Sequence, residues 1–175
     1  MCSSDLAWPV LNSKTDIGGL GGTGIPVFEI EKPDWFDQYK SSFAVGPQCS
    51  RVKGEEGGVE RLYGAGSFFR KSLLLRYYDS NFENIMVGPK GEELTRGDDT
   101  EWSLQIRLLG YKLYYCNKLN FYHFMTAGRL VWPYYLKLKR DISLGIAKLE
   151  SYQLFYRKNN PSNLSFILYY HRRSF

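Results

Sequence analysis

Gly97-Asp98-Asp99-Thr100-Glu101 places three carboxylates within four residues, directly ahead of apolar positions Trp102, Ile106 and Leu109 and a glycine at 110. This spacing predicts a helix that begins at the acids and stops at Gly110 as its C′ residue. Asp98-x-x-Glu101 fits a capping pair, in which Asp98 accepts from the backbone N–H of Glu101 while Glu101 reaches back. Asp99 would be favoured there by the helix dipole without any function. A single cap does not require the second aspartate, however, and three acids on one turn repel one another. A carboxylate on so rigid a backbone is well held for the role of a base.

Working outward, Tyr111–Tyr115 is a predicted strand, Asn117-Lys118 a turn and Leu119–Phe124 a second strand, in which Leu119, Phe121 and His123 share one face. His123 reads either as a satisfied core histidine or, chemically, as a metal ligand or a donor to phosphate. Pro133 suits the first turn of a long helix, with Tyr135, Leu138, Ile142, Ile146 and Leu149 on one side and Lys137, Arg140 and Lys148 mostly elsewhere. Upstream, Leu6, Ala7, Val10 and Leu11 suggest the end of an amphipathic helix. The glycine-rich run Ile17–Phe28 predicts a short strand over 17–21 and a turn, approached closely by another backbone. Asp34 is the expected N-cap of a helix reaching about Ser41, followed by an extended segment through Phe43 and Val45. Arg51–Glu60 reads as a polar hairpin or loop, and Leu62–Phe69 as a strand interrupted by Gly64 and Gly66. Ser72 is the expected cap of a helix through Tyr77, and Asp79–Arg96 is a long connection with a turn at Gly88-Pro89-Lys90-Gly91.

At 175 residues the chain has room for one domain with a core, and its 43% hydrophobic and 23% charged residues are ordinary for a globular protein. Aromatic residues reach 17%, with 14 Tyr and 11 Phe, which serves a core and a sugar- or base-stacking surface equally well. The net charge of +5 is consistent with phosphate-bearing ligands, nucleic acid or an anionic membrane surface and selects none of them. Many of the basic residues come late: Lys137, Lys139, Arg140, Arg157, Lys158, Arg172 and Arg173. Cys2, Cys49 and Cys116 form no C-x-x-C pair, which argues against a disulfide framework or structural zinc and for a reducing compartment. The sequence shows no signal peptide and no apolar run of transmembrane length.

Taken in order, Gly64-Ala-Gly-Ser-Phe-Phe-Arg-Lys71, then Gly97-Asp-Asp-Thr-Glu-Trp through Gly110-Tyr-Lys112, then Leu119-Asn-Phe-Tyr-His123 resembles the second half of family-2 glycosyltransferases of the GT-A fold. Gly21-Gly-Thr-Gly-Ile-Pro-Val-Phe-Glu29 and Pro33-Asp-Trp-Phe36 are similar to the segment that bacterial members carry just after their nucleotide-binding half. The resemblance covers roughly Ile17 to Tyr135. It implies an α/β fold, a partial GT-A domain with a mixed sheet and flanking helices. On this reading, residues 1–16 are the remnant of a preceding helix with a start that need not be native. Residues 17–125 form the acceptor-side half, and 126–175 a basic amphipathic helix and tail.

The implied activity is inverting transfer of a sugar from a nucleotide-diphosphate donor to a hydroxyl of a glycan or lipid-linked acceptor, in polysaccharide biosynthesis. The resemblance makes Asp99 the general base, with Asp98 beside it contacting the acceptor or supporting the base. It places Gly64, Gly66, Ser67 and Trp102 on the acceptor side, Arg129 at the diphosphate, the Asp79–Arg96 loop as a further diphosphate or acceptor contact, and His123 as a ligand of Mn2+ or Mg2+. The family's early acidic motif and its metal-holding Asp-x-Asp have no counterpart in the sequence. The nucleotide-binding half is therefore expected to be missing, and the isolated chain to be inactive. The expected location is the cytoplasm, with peripheral contact at the inner face of the membrane. Two other classes stand beside this one. A non-catalytic carbohydrate- or partner-binding module would use the aromatics and loops without Asp99. Nucleic-acid binding finds no interleaved basic–aromatic strand motif, so no nucleic-acid partner is expected.

Overall fold

A computed structural model describes residues 3–48, 56–80, 83–86, 96–150 and 152. They form a mixed α/β domain around one four-stranded sheet. In chain order come α1 (Ser3–Ser13), β1 (Ile17–Phe28), α2 (Phe36–Tyr39), which runs into a 3-10 turn at Lys40–Phe43, β2 (Gly57–Val59) and β3 (Ser67–Phe69). They are followed by α3 (Lys71–Asp79), α4 (Asp98–Leu108), β4 (Lys112–Met125), a 3-10 turn at Ala127–Arg129 and α5 (Trp132–Lys148). The strand order is β2-β4-β1-β3. The central pair β1 and β4 is parallel, and each carries a short antiparallel strand on its outer edge.

The glycine run is not a strand and a turn but one strand of 12 residues. Bulky neighbours explain the glycines. A Cβ on Gly22 would lie 2.3 Å from the carbonyl oxygen of Leu119, and one on Gly24 2.2 Å from that of Ala44. Backbone therefore crosses β1 at contact distance, and Gly24 forms an antiparallel bridge with Gly46. The close approach expected from the sequence is present; the turn is not.

β4 likewise replaces the expected strand–turn–strand with one 14-residue strand. Tyr115 pairs with Gly21 and Asn120 with Thr23, so the residues around Asn117-Lys118 are an outward excursion in a continuous parallel ladder. A hairpin would have reversed the chain and separated Leu113 from the Leu119–Met125 half of the strand. The pleat resumes beyond the excursion with Leu119 and Met125 buried and Phe121 and His123 partly buried on the inner face, while Tyr122 and Phe124 are exposed.

Helices cover both faces of the sheet. α3 and α4 pack Leu73, Tyr77, Leu104, Ile106 and Leu108 against Leu113, Tyr115 and Leu62. α1 sets Ala7 and Leu11 against Ile17, Leu20, Cys116 and Leu119, as the amphipathic reading of its sequence expected. A third cluster joins Phe36, Phe43 and Val45 to Met125 and to Tyr135 and Leu138 of α5. α5 also reaches the first cluster through Leu149, so it is built into the same packed unit as the sheet.

Local caps differ from the expected ones. Helix α2 starts after Trp35 without a side-chain cap, and Asp34 takes no part; the Phe36 N–H bonds the Pro33 carbonyl instead. The segment through Phe43 is a 3-10 turn closed by a left-handed Ala44, not an extended run. α3 begins after Arg70, leaving Ser72 inside the helix. The strand expected over Leu62–Phe69 shortens to its last three residues. Of the long connection 79–96, the turn at 88–91 lies outside the described residues, as do 51–55 of the expected polar loop.

Candidate functional site

Helix α4 starts at Gly97, whose φ of +127° is one that side-chain-bearing residues rarely adopt, and it carries no side-chain cap. The expected capping pair does not form, and the three acids take three different positions. Asp98 faces a cavity. Asp99 accepts the Gly64 N–H through Oδ2 at 2.7 Å and the N–H of Thr100 through Oδ1 at 2.7 Å. Glu101 turns the other way and is fully buried: it accepts the Ile85 and Met86 N–H groups at 2.8 Å each and the Tyr152 hydroxyl at 2.6 Å.

Asp99 is thus held in one rotamer, and the loop it touches is itself fixed. Buried Gln48 accepts the Tyr63 N–H at 2.5 Å and donates to the Ala65 carbonyl at 3.1 Å. The Ser103 hydroxyl of α4 accepts the N–H of Leu62 at 3.0 Å and donates to the Asp99 carbonyl at 2.9 Å. Burial raises the pKa of Asp99 above the ordinary 3.8, opposed by the Gly64 and Thr100 amides and assisted by the charge of Asp98. A fixed carboxylate with raised basicity is the physical requirement for a general base.

Asp99 opens on a cavity of about 730 Å3, within the size range of about 300–1,000 Å3 typical of small-molecule sites. Of the residues singled out in the sequence, Asp98, Asp99, Gly64, Trp102, His123 and Arg129 all line it. Segments far apart in the chain are brought together by the α4 N-terminus, the inner face of β4 and the turn after it. Gly66 and Ser67 do not line it. A Cβ on Gly66, with φ +67°, would meet the Phe121 ring at 2.0 Å, and the Ser67 hydroxyl donates to the Tyr63 carbonyl, so both serve the fold at the β3 edge.

His123 lies on β4, where its Nε2 faces Arg129 Nη1 at 3.4 Å. A guanidinium always donates, so this contact requires the neutral imidazole with Nε2 as acceptor. Burial, then the Arg129 charge, lowers the His123 pKa below 6.5, against a smaller opposing contribution from the Phe43 backbone carbonyl. Its Nδ1 is buried without a hydrogen-bond partner. Among the described residues no three His, Cys, Asp or Glu side chains converge on a possible metal position. With Arg129 where it is, the imidazole presents no open lone pair to a divalent ion.

The sequence reading reached Arg96 only as the end of the 79–96 loop, and it missed two further cavity cations, Arg61 and Lys139, and the tyrosine at 134. Arg96 donates through Nη2 to the Tyr134 hydroxyl at 3.2 Å, and Arg129 lies 6.0 Å from the centre of the same ring. The signal available for Arg96 was Gly145, a glycine inside an otherwise good helix. A Cβ there would lie 1.9 Å from the Arg96 carbonyl oxygen, so α5 is pressed against the backbone that leads into the acids. Compared with known proteins, the chain matches no protein-family model and no curated protein sequence.

Proposed function

We propose that this chain is the acceptor-side half of an inverting, family-2-like glycosyltransferase of GT-A type, with Asp99 as the general base. The observation that carries the reading is Asp99 itself. It is anchored by the Gly64 and Thr100 amides, made more basic by burial, and set on a ligand-sized cavity. An acceptor hydroxyl within reach of its carboxylate would lose its proton to Asp99 as the oxygen attacks the anomeric carbon of a nucleotide-diphosphate sugar, and the nucleoside diphosphate would leave. Trp102, edge-on to Phe69, offers an aromatic wall to the acceptor, and Arg129 lines the same cavity as the base. Gly66 and Ser67 enter the reading only through the loop they shape. Mn2+ or Mg2+ belongs to it only through His123, which would have to exchange Arg129 for the ion; no step here is routed through a metal.

Turnover requires a donor-binding half, so the test uses the chain joined to one. Asp99→Asn is expected to lower kcat by about 10²–10⁴-fold, the range for loss of a general base, while acceptor binding is retained. Unchanged turnover would eliminate the role. It would favour the second reading, a carbohydrate- or partner-binding module, which the closed His123–Arg129 contact favours because it leaves the imidazole occupied.

Peripheral membrane contact is part of the same proposal. Among the described residues no helix is long and apolar enough to cross a membrane. α5 nevertheless exposes Leu136 and Leu144 alongside Lys137, Arg140 and Lys148. Salt-sensitive sedimentation with anionic vesicles is expected, and its absence would remove this contact from the reading.

A further inference from the structure

Four cations, Arg61, Arg96, Arg129 and Lys139, line the cavity against two carboxylates, Asp98 and Asp99. Arg96 and Arg129 matter most because they are partly withdrawn from water. The Nε atom of each is buried with no hydrogen-bond partner, and among the described residues neither guanidinium forms an ion pair with a carboxylate. Both are arranged around one side chain. Tyr134 accepts from Arg96 with its hydroxyl and offers its ring to Arg129. The third contact, Arg129 to His123, adds no negative charge, since the imidazole is neutral there. Asp98 and Asp99 line the same cavity, but among the described residues neither forms an ion pair with Arg96 or Arg129, and the Asp99 oxygens accept the Gly64 and Thr100 amides.

Charged groups in a protein interior are ordinarily paired, and two neighbouring unpaired guanidiniums repel each other. A guanidinium presents a planar fork that matches carboxylate and phosphate oxygens. We infer that the cavity binds an anionic group of the acceptor, a phosphate or a carboxylate, between Arg96 and Arg129, which share Tyr134 as a neighbour. That the anion belongs to the acceptor rests on the reading of Asp99 as acceptor-side base; the anion site itself rests only on the two arginines and the cavity. The acceptor class is then a phosphate-bearing glycolipid or an acidic sugar chain, not a neutral glycan.

The 175-residue chain is titrated calorimetrically with inorganic pyrophosphate and, separately, with the methyl glycoside of glucuronic acid. Saturable binding of either is expected. Preference for pyrophosphate assigns a phosphate source, and preference for the uronate a carboxylate source. Arg96→Gln and Arg129→Gln should each weaken binding about tenfold or more. Arg96→Lys and Arg129→Lys keep the charge and should weaken it less; circular dichroism establishes that they fold, so they carry the test where a Gln variant does not. Asp99→Asn removes a negative charge from the same cavity and should bind the anion at least as tightly. If Asp99→Asn also keeps its turnover in the joined enzyme, the catalytic reading fails while the anion site stands. Absence of saturable binding by either anion, or binding that all four arginine variants leave unchanged, overturns the inference.

Discussion

Asp99 and Glu101 lie on one helical turn, and each is attached to backbone amides, yet only one is withdrawn from solvent on all sides. For Asp99, burial is only partly offset, so its folded pKa exceeds the ordinary 3.8 and the ionised form destabilises the folded chain. The sign follows directly. Below 3.8 the group is protonated folded and unfolded, and the penalty vanishes; as pH rises through the folded pKa the penalty becomes complete. Asp99→Asn keeps an oxygen for the Gly64 amide and cannot ionise; its NH2 turns toward the Thr100 N–H, a bond that is only part-buried, so water can take it up, unlike the buried bonds of Glu101. Its Tm is expected to exceed that of the unmodified chain by a few degrees at neutral pH, with the gap closing as pH is lowered toward 3.8. Thermal melts across that range check it, and a gap that does not change with pH refutes it. His123 runs the other way, since its lowered pKa gives stability that is lost as pH falls below 6.5, and it is common to both chains. The position of Asp99 was legible in the sequence because a second aspartate at a helix start has no capping role. The role of Glu101 was not, because capping and burial demand the same residue type at the same spacing, and only the 83–86 segment folding over α4 distinguishes them.

At the scale of elements, what the sequence concealed is continuity. Local signals for a turn, glycine at 21, 22 and 24 in β1 and Asn117-Lys118 in β4, are satisfied inside two long strands because each lies against the other. The glycines of β1 remove side chains where Leu119 and Ala44 cross, and the extra residues of β4 swing outward at the same level. Each feature explains the other, but neither is interpretable before the two strands are known to be parallel neighbours. The helices were easier to find. α4 ends at Gly110 with φ +84°, and α5 carries its proline in the first turn, both as the spacing predicts. Their apolar faces were less legible. α4 buries Glu101, Ser103 and Gln105 along with Leu104, Ile106 and Leu108, so no amphipathic stripe marks its orientation. Trp102, the first residue of the expected apolar period, instead reaches the cavity wall. The site thus depends on a helix that the rest of the protein encloses on nearly every side, which explains how its N-terminus can hold Asp99 still.

Across the whole molecule, the cavity lies where the cluster around α4 meets the cluster around α2 and α5, and a single buried carboxylate fastens one side of that seam. Glu101 joins α4 to the 83–86 segment through two amides and to the residue region after α5 through the Tyr152 hydroxyl. Gln105, one turn on, extends the same network to Asn84 at 2.6 Å, while the Tyr77 hydroxyl donates to its carbonyl at 2.8 Å. Glu101→Ala would leave two amides and a hydroxyl without an acceptor inside a core that excludes water. A loss of about 3 kcal/mol or more is expected, read as a lower denaturant midpoint. Glu101→Gln retains one acceptor oxygen but turns an NH2 group toward groups that themselves donate, and its loss should be smaller, about 1–3 kcal/mol. These variants and Asp99→Asn lie within one turn of one helix and are expected to move stability in opposite directions. A shared direction would mean that the acids act as one capping cluster. Opposite directions separate the carboxylate that builds the fold from the one that the fold holds under an electrostatic penalty, and the latter is the acid available to take a proton.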